Sequence, residues 1–174
     1  MKKILFSSIL IIGSVVLNHQ VNAQDMAFNR SGVVAINPYP ETGNKIISEM
    51  DVNINASRDF KLNFKNATNV KWIQHDKGES VYFTNDGIKM RSSYNSKGRK
   101  EYTLKYYDES KMPSELRQRV RSNYYDYSIV MVTEVLRNNQ TYFLVKMENE
   151  NEYLTLKINE DEMTVFEKTS KARK

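Results

Sequence analysis

The chain has 174 residues, no cysteine and a formal net charge of +5. The absence of cysteine excludes disulfides, thiolate metal sites and cysteine nucleophiles. The mild basicity does not favour nucleic acid as a partner, and the length fits one domain that buries roughly two-thirds of its unfolded surface.

The first 23 residues are typical of a secretory signal peptide. Lys2 and Lys3 precede an apolar run of 14 residues, and Ala23 ends a stretch that suits a signal peptidase. The run is shorter than the ~20 residues that span a bilayer, which favours cleavage over a membrane anchor. We therefore expect export to the periplasm or the medium, cleavage after Ala23, a mature charge of +3 and no membrane insertion of the mature chain.

The composition of residues 24–54 predicts an irregular N-terminal arm. This segment contains Pro38 and Pro40, two of the three prolines in the chain, and its apolar residues follow no sustained period. The run SGVVAIN within it would suit an edge strand. A flexible leader and an ordered functional arm both fit this composition.

A helix and four strands are predicted next. Phe60, Phe64 and Ala67 form one stripe of a short helix that would begin near Ser57 or Asp59. Turn sequences then separate short runs with strand character. The four strand candidates are NVKWIQ, ESVYFT, GIKMRSSY and KEYTLKYY.

The same order of elements is predicted a second time. DESKMPSELRQRVRSNYY indicates a helix with Pro113 in its first turn and an apolar stripe of Leu116, Val120 and Tyr124. The strand candidates after it are YSIVMVTEVL, TYFLVKM, EYLTLKI and MTVFEK.

The two halves indicate an internal repeat of pattern. Corresponding turns lie 61 to 64 residues apart, which suggests units at about 55–108 and 109–168, followed by a basic tail at 169–174. Consecutive hairpins require antiparallel pairing, and two helices cover only one face of such a sheet. We expect an α+β fold in which a duplicated helix-plus-four-strand unit builds an eight-stranded sheet with its other face open.

Several of these motifs together resemble one family. The chain resembles exported PepSY-like proteins of Bacteroidetes in five features. They are the run DFKLNFKNATNVKW, a strand ending in Phe83, the NDG turn, a Met-Pro helix start and a tyrosine at the helix end. These proteins are also described as β-lactamase-inhibitor-like, or BLIP-like. The resemblance covers about Ser57 to Lys168. The acidic turns NENE and NEDE depart from it, because glycine is usual there.

The resemblance implies a fold and a general role, but no catalytic chemistry. It implies a duplicated αββββ unit with both helices on one side of a curved sheet. Related inhibitors bind an enzyme through the open, concave face of that sheet. No catalytic or cofactor-binding residue can be carried over to this chain.

The residues themselves offer few candidates for chemistry. His75 is the only histidine outside the signal peptide, and we expect it to be an exposed turn residue, because one histidine without cysteine makes no zinc site. There is no Gly-x-Ser-x-Gly elbow or phosphate-binding glycine loop. Asn85-Asp86-Gly87 and the acidic run at Glu160 resemble ordinary turns more than calcium loops. We predict no enzyme activity, cofactor or metal.

The strand faces are the better indication of function. Alternation in KEYTLKYY groups Tyr102, Leu104 and Tyr106 inward, with Lys105 and Tyr107 outward. Applied to all strands, it predicts an outward surface rich in tyrosine and cations. Its members are Tyr82, Lys89, Arg91, Lys105, Tyr107, Tyr142, Lys146, Tyr153 and Lys157.

Two explanations of this surface are open. Tyrosine and threonine favour strands, and lysine keeps an exposed sheet soluble. Alternatively, tyrosines offer rigid contact area while cations attract an acidic partner. We expect an exported non-enzymatic binding module that contacts an unidentified protein, with an inhibitor-like role as one form. The alternative is an envelope protein, related to stress or structure, that binds a small ligand or a polymer.

Overall fold

The computed structural model describes residues 45–171. The predicted signal peptide, residues 24–44 of the predicted arm and the last three residues of the predicted tail lie outside the described residues. The end of the arm is structured: it contains strand β1 (Lys45–Ile47), a 3₁₀ turn (Glu49–Asp51) and the start of a helix. The folded part of the chain thus begins before residue 55.

Two short helices, α1 (Ile54–Asn63) and α2 (Ser114–Asn123), each precede four strands. Helix α1 begins earlier than the expected start at Ser57 or Asp59. The Asn53 side chain explains this difference, because it accepts a hydrogen bond from the backbone N–H of Asn55 at 3.0 Å and caps the helix. No helix in the described part of the chain is long and apolar enough to cross a membrane.

The strands form one antiparallel sheet in chain order, from β1 at one edge to β9 at the other. The eight predicted strands are confirmed, and β1 adds a ninth that pairs with β2. Helices and sheet together confirm the α+β class. The eight strands are β2 (Thr68–His75), β3 (Gly78–Asn85), β4 (Ile88–Asn95), β5 (Lys100–Tyr107), β6 (Ser128–Arg137), β7 (Gln140–Glu148), β8 (Glu152–Ile158) and β9 (Met163–Ser170).

Both helices pack on one side of the sheet, called here the helix face. Phe60 of α1 packs beside Trp72 and Phe83, with ring centroids 5.4 and 4.9 Å away. Leu116 and Val120 of α2 belong to a second buried cluster. Trp72 is part of the core, since only 4% of its surface is exposed. The sheet residues of the α2 cluster are Tyr107, Val132, Val145, Met147, Leu154, Leu156 and Ile158.

A polar seam lies between the two helix-side clusters. The hydroxyls of Ser92 and Thr103 are buried and 2.9 Å apart. The next pair along the seam is Lys105 and Glu134, joined at 2.7 Å between Nζ and Oε1. The core is therefore divided into two parts, each with its own helix, which agrees with the two predicted halves. Duplication of one ancestral unit stays a prediction.

The opposite side of the sheet is called here the second face. A small cluster of Leu104, Tyr106, Met131 and Val135 is buried there, and it contains no residue of either helix. Its members lie at the centre of the sheet, on β5 and β6. This face thus has an apolar centre and is not polar throughout.

Candidate functional site

Seven of the nine predicted surface residues lie together on the second face. The pairing registers set Tyr82 beside Arg91, and Lys146 beside Thr155. Since directly paired residues share a face, the registers can be followed from strand to strand. The seven are Tyr82, Lys89, Arg91, Tyr142, Lys146, Tyr153 and Lys157.

Three tyrosines of this face each have a cation over their ring. The guanidinium carbon of Arg91 is 5.3 Å from the centroid of Tyr82. Lys157 Nζ lies 5.2 Å from the centroid of Tyr142. Tyr153 contacts two cations, with Lys146 Nζ at 5.7 Å and Lys171 Nζ at 4.8 Å. These distances fall within the range of cation–π attraction.

These pairs surround the apolar centre of the face. Tyr102, Tyr142 and Leu144 are partly buried and pack against the Leu104 and Val135 cluster. Burial is the largest influence on Tyr142 and raises the pKa of its phenol, whereas the nearby Arg137 lowers it. The tyrosine rings are thus anchored at one side and accessible at the other, which suits a rigid contact surface.

The second face carries more cations than carboxylates. The registers place six cations on its strands against two carboxylates, Glu148 and Glu167, and a third carboxylate, Glu101, lies near His75 of the same face. One of these, Glu148, already pairs with Lys171 at 2.9 Å. The face is therefore electropositive. The six cations are Lys71, Lys89, Arg91, Arg137, Lys146 and Lys157.

The prediction for Lys105 and Tyr107 is wrong: both lie on the helix face. Tyr107 belongs to the cluster under α2 and is 9% exposed. Its hydroxyl donates to Glu134 Oε2 at 3.0 Å, and Lys105 holds the other oxygen of that carboxylate. Burial, the charge of Glu134 and this hydrogen bond raise the pKa of Tyr107 well above its usual range. The pair is part of the fold.

The error arose because β5 has large side chains on both sides. Leu104 and Tyr106 fill the cluster of the second face, while Tyr107 fills the core under α2. Alternation assigns two faces but does not say which one is which. The neighbouring strand decides this, because Val132 of β6 lies opposite Tyr107 and is fully buried.

His75 is half-buried rather than fully exposed. Its Nε2 lies 3.3 Å from the hydroxyl of Ser80 on the second face. Burial and the nearby Arg91 lower the pKa of the imidazole. A backbone hydrogen bond with Glu79 also holds the imidazole.

Within residues 45–171, no three histidine, aspartate or glutamate side chains are placed to hold a metal ion. Asp86, in the predicted calcium candidate turn, instead accepts hydrogen bonds from Asn66 and Asn85. This turn forms around Asp86 and Gly87 at positive φ, as a tight hairpin requires.

The sequence reasoning missed four polar or aromatic side chains of the second face. Tyr102 and Tyr106 were placed inward, and Lys71 and Arg137 were not included. Arg137 ends β6, next to the Asn138-Asn139 turn. Its presence could have been inferred from alternation, because Val135 and Arg137 are two residues apart and share a face.

Comparison with solved structures shows which fold this is. A BLIP-like protein from Bacteroides fragilis is 17% identical, with 68% of this chain and 86% of that chain covered and a TM-score of 0.58. A DUF2874 family protein from Bacteroides ovatus is 18% identical, with coverage of 68% and 87% and a TM-score of 0.58. The predicted resemblance to BLIP-like proteins is confirmed at the level of the fold.

A third similar structure is that of a protein from Bacteroides eggerthii described as periplasmic. It is 11% identical, with 68% of this chain and 88% of that chain covered and a TM-score of 0.57. No family model matches the chain, and no curated protein matches it. Identities this low establish the fold alone.

Proposed function

We propose that the chain is an exported, non-enzymatic binding protein whose second face takes a protein partner with an acidic surface. The observation that carries this proposal is the set of three cation–tyrosine pairs on one side of one sheet, around Tyr82, Tyr142 and Tyr153. Tyrosine and arginine are the residue types that most often dominate binding energy at interfaces.

The charge and the shape of the face support the same partner class. Six cations against three carboxylates would steer an acidic protein toward the face and reject a basic one. The apolar centre around Leu104 and Met131 offers the buried middle that interfaces have, and the lysines form the polar rim. We expect the tyrosines to supply affinity and the lysines to supply association rate.

The similar structures support an inhibitor-like form of this role. One of them is a BLIP-like protein, and another is described as periplasmic. The signal sequence before Ala23 supports export of this chain to the same compartment or beyond. A duplicated unit, with one helix under each half of the face, would give such a binding surface its width.

The test compares two variants of the mature chain, residues 24–174, in a crosslinking capture from the envelope and culture fluid of the source organism. In one variant, Tyr82, Tyr142 and Tyr153 are replaced by alanine. In the matched control, Tyr125 is replaced by alanine, because it is 85% exposed and lies just after α2, away from the second face. Tyr107 is left intact in both, since it belongs to the core.

We expect one acidic protein to be captured by the wild type and by the Tyr125 control but not by the triple variant. Circular dichroism of the triple variant has to show an intact fold. Capture of the same protein by a folded triple variant would refute the second face as the binding site. Added salt should slow association measurably, because charges on the rim act through long-range attraction.

A further inference from the structure

A groove of about 790 Å³ lies at one end of the sheet, between two neighbouring hairpin turns. One wall is the turn between β6 and β7, at Asn138 and Asn139. The other wall is the loop between β8 and β9, at Asn159–Asp161. The volume lies within the range of small-ligand sites, roughly 300–1,000 Å³. The groove is lined mainly by polar groups, so an apolar ligand does not suit it.

The charges of the groove are of two signs. Arg137 and Lys157 carry positive charge beside the ring of Tyr142, and Glu160 and Asp161 carry negative charge in the β8–β9 loop. Within residues 45–171, none of these four side chains forms an ion pair. Amide side chains line the groove between the charged groups. The arrangement therefore offers partners for one anion, one cation and several amide groups.

The wall formed by the β8–β9 loop is held in place by the fold. The Asn159 side chain accepts hydrogen bonds from the backbone N–H groups of Asp161 and Glu162. Arg119 of α2 donates to the carbonyls of Asn159 and Glu160, at 3.0 and 3.2 Å. A wall that is fixed before binding costs less ordering when a ligand enters.

We propose that this groove binds the ends of a short zwitterionic peptide. The peptide carboxylate would lie at Arg137 and Lys157, and its ammonium group at Glu160 and Asp161. The peptide amides would exchange hydrogen bonds with the Asn and Gln side chains between them. This site shares Arg137, Tyr142 and Lys157 with the second face, but peptide binding in the groove does not depend on the protein partner proposed above.

Charge favours this ligand class over the other polar candidates. A neutral sugar would use the amides but leave four charged groups without ionic partners. An acidic sugar would be attracted by Arg137 and Lys157 but repelled by Glu160 and Asp161. A free amino acid carries both charges, but it fills only a small part of a groove this size. A peptide of a few residues satisfies the charges and the amides together.

The probes for the test are trialanine, trialanine amide, N-acetyl-trialanine and cellobiose. Each is titrated into the ¹⁵N-labelled mature chain while the backbone amide shifts of Asn138–Tyr142 and Asn159–Asp161 are followed. The double variant Arg137→Gln/Lys157→Gln removes the predicted carboxylate partners, and the double variant Glu160→Gln/Asp161→Asn removes the ammonium partners. Lys89→Gln is the matched control, because Lys89 is an exposed cation of the second face outside the groove.

We expect trialanine to shift the groove amides with an affinity about tenfold higher than either blocked peptide, because each blocked end loses a charge-assisted contact. Arg137→Gln/Lys157→Gln should abolish the preference for the free carboxylate, and Glu160→Gln/Asp161→Asn the preference for the free amine, while Lys89→Gln should change neither. Equal binding of all three peptides, no shift with any of them, or shifts caused by cellobiose alone would overturn the proposal.

Discussion

Replacing Tyr107 with phenylalanine should destabilise the fold without affecting the second face. The phenol of Tyr107 is buried under α2 and donates a hydrogen bond to Glu134 Oε2 at 3.0 Å. Phenylalanine keeps the ring and its packing but removes this bond. A hydrogen bond to a charged group contributes about 1.5–3 kcal/mol to stability. Because Glu134 keeps Lys105 as a second partner at 2.7 Å, we expect a loss near the middle of this range, about 2 kcal/mol.

The assay is urea unfolding followed by the fluorescence of Trp72, the single tryptophan of the chain. Trp72 is 4% exposed, so unfolding brings it into water and changes its emission. With a slope of about 2 kcal/mol per molar urea, the midpoint of Tyr107→Phe should fall by roughly 1 M. The matched control is Tyr142→Phe on the second face. Among the contacts found in residues 45–171, the Tyr142 hydroxyl makes no hydrogen bond, so its midpoint should stay near that of the wild type.

The pH dependence gives a second check on the same contact. The pKa of Tyr107 is raised in the folded chain, first by burial and then by Glu134. The protonated phenol of Tyr107 therefore stabilises the fold fully below the usual tyrosine pKa of about 10. This stabilisation is lost as the pH rises toward the raised pKa. The difference between wild type and Tyr107→Phe should shrink above about pH 10. Equal urea midpoints at pH 7, or a difference that is constant with pH, would show that this bond does not stabilise the fold.

Two further predictions concern other parts of the sheet. Gly78→Ala should lower the free energy of unfolding by roughly 2 kcal/mol or more, because Gly78 has a φ of +143° and an added Cβ would lie 2.2 Å from the carbonyl oxygen of Tyr94. Gly87 has a φ of +73° and open space around it, so Gly87→Ala should lower it by only about 1 kcal/mol. Equal urea midpoints of the two variants would contradict the close contact at Gly78. The pKa of His75 is lowered in the folded chain, so its contribution to stability is complete above about pH 6.5 and is lost as the pH drops through the lowered pKa. The stability of His75→Gln should therefore lack this loss between neutral and acid pH. Identical acid unfolding profiles of wild type and variant would refute the prediction.

Most of the secondary structure could be predicted because each element has a local signal. The hairpin turns contain Asn, Asp or Gly at positions that need positive φ, such as Asp86 and Gly87, and these residues mark the strand ends. Strand β1 gave no such signal. It has three residues, KII, and it forms because Ile47 covers the end of the core beside Trp72, which is a tertiary contact.

The binding face could be predicted only where one side of a strand was clearly apolar. In β8, Leu154, Leu156 and Ile158 are buried and Tyr153 and Lys157 are not, as alternation predicts. Strand β5 lies at the centre, where clusters form on both sides. The groove was not predictable at all, since its two walls are neighbours only through the pairing of β7 with β8.

The high tyrosine content, which first suggested a recognition surface, has two separate causes. Tyr94, Tyr107 and Tyr127 each donate a hydrogen bond to a carboxylate that also pairs with a lysine, through Asp59, Glu134 and Glu152. The lysine partners are Lys100, Lys105 and Lys168. The pKa of all three phenols is raised, that of Tyr127 to about 12. In these contacts tyrosine and lysine stabilise the fold.

The second face uses the same two residue types in a different way. There the cation lies over the ring of Tyr82, Tyr142 or Tyr153, and no carboxylate bonded to the phenol of Tyr142 or Tyr153 is found among residues 45–171. Cation–ring pairs at exposed sites contribute only about 0.5–1 kcal/mol, too little to explain three of them by stability alone. The tyrosine and lysine content alone therefore suggests a larger recognition surface than the second face provides. The contacts around each tyrosine decide whether it is available to a partner.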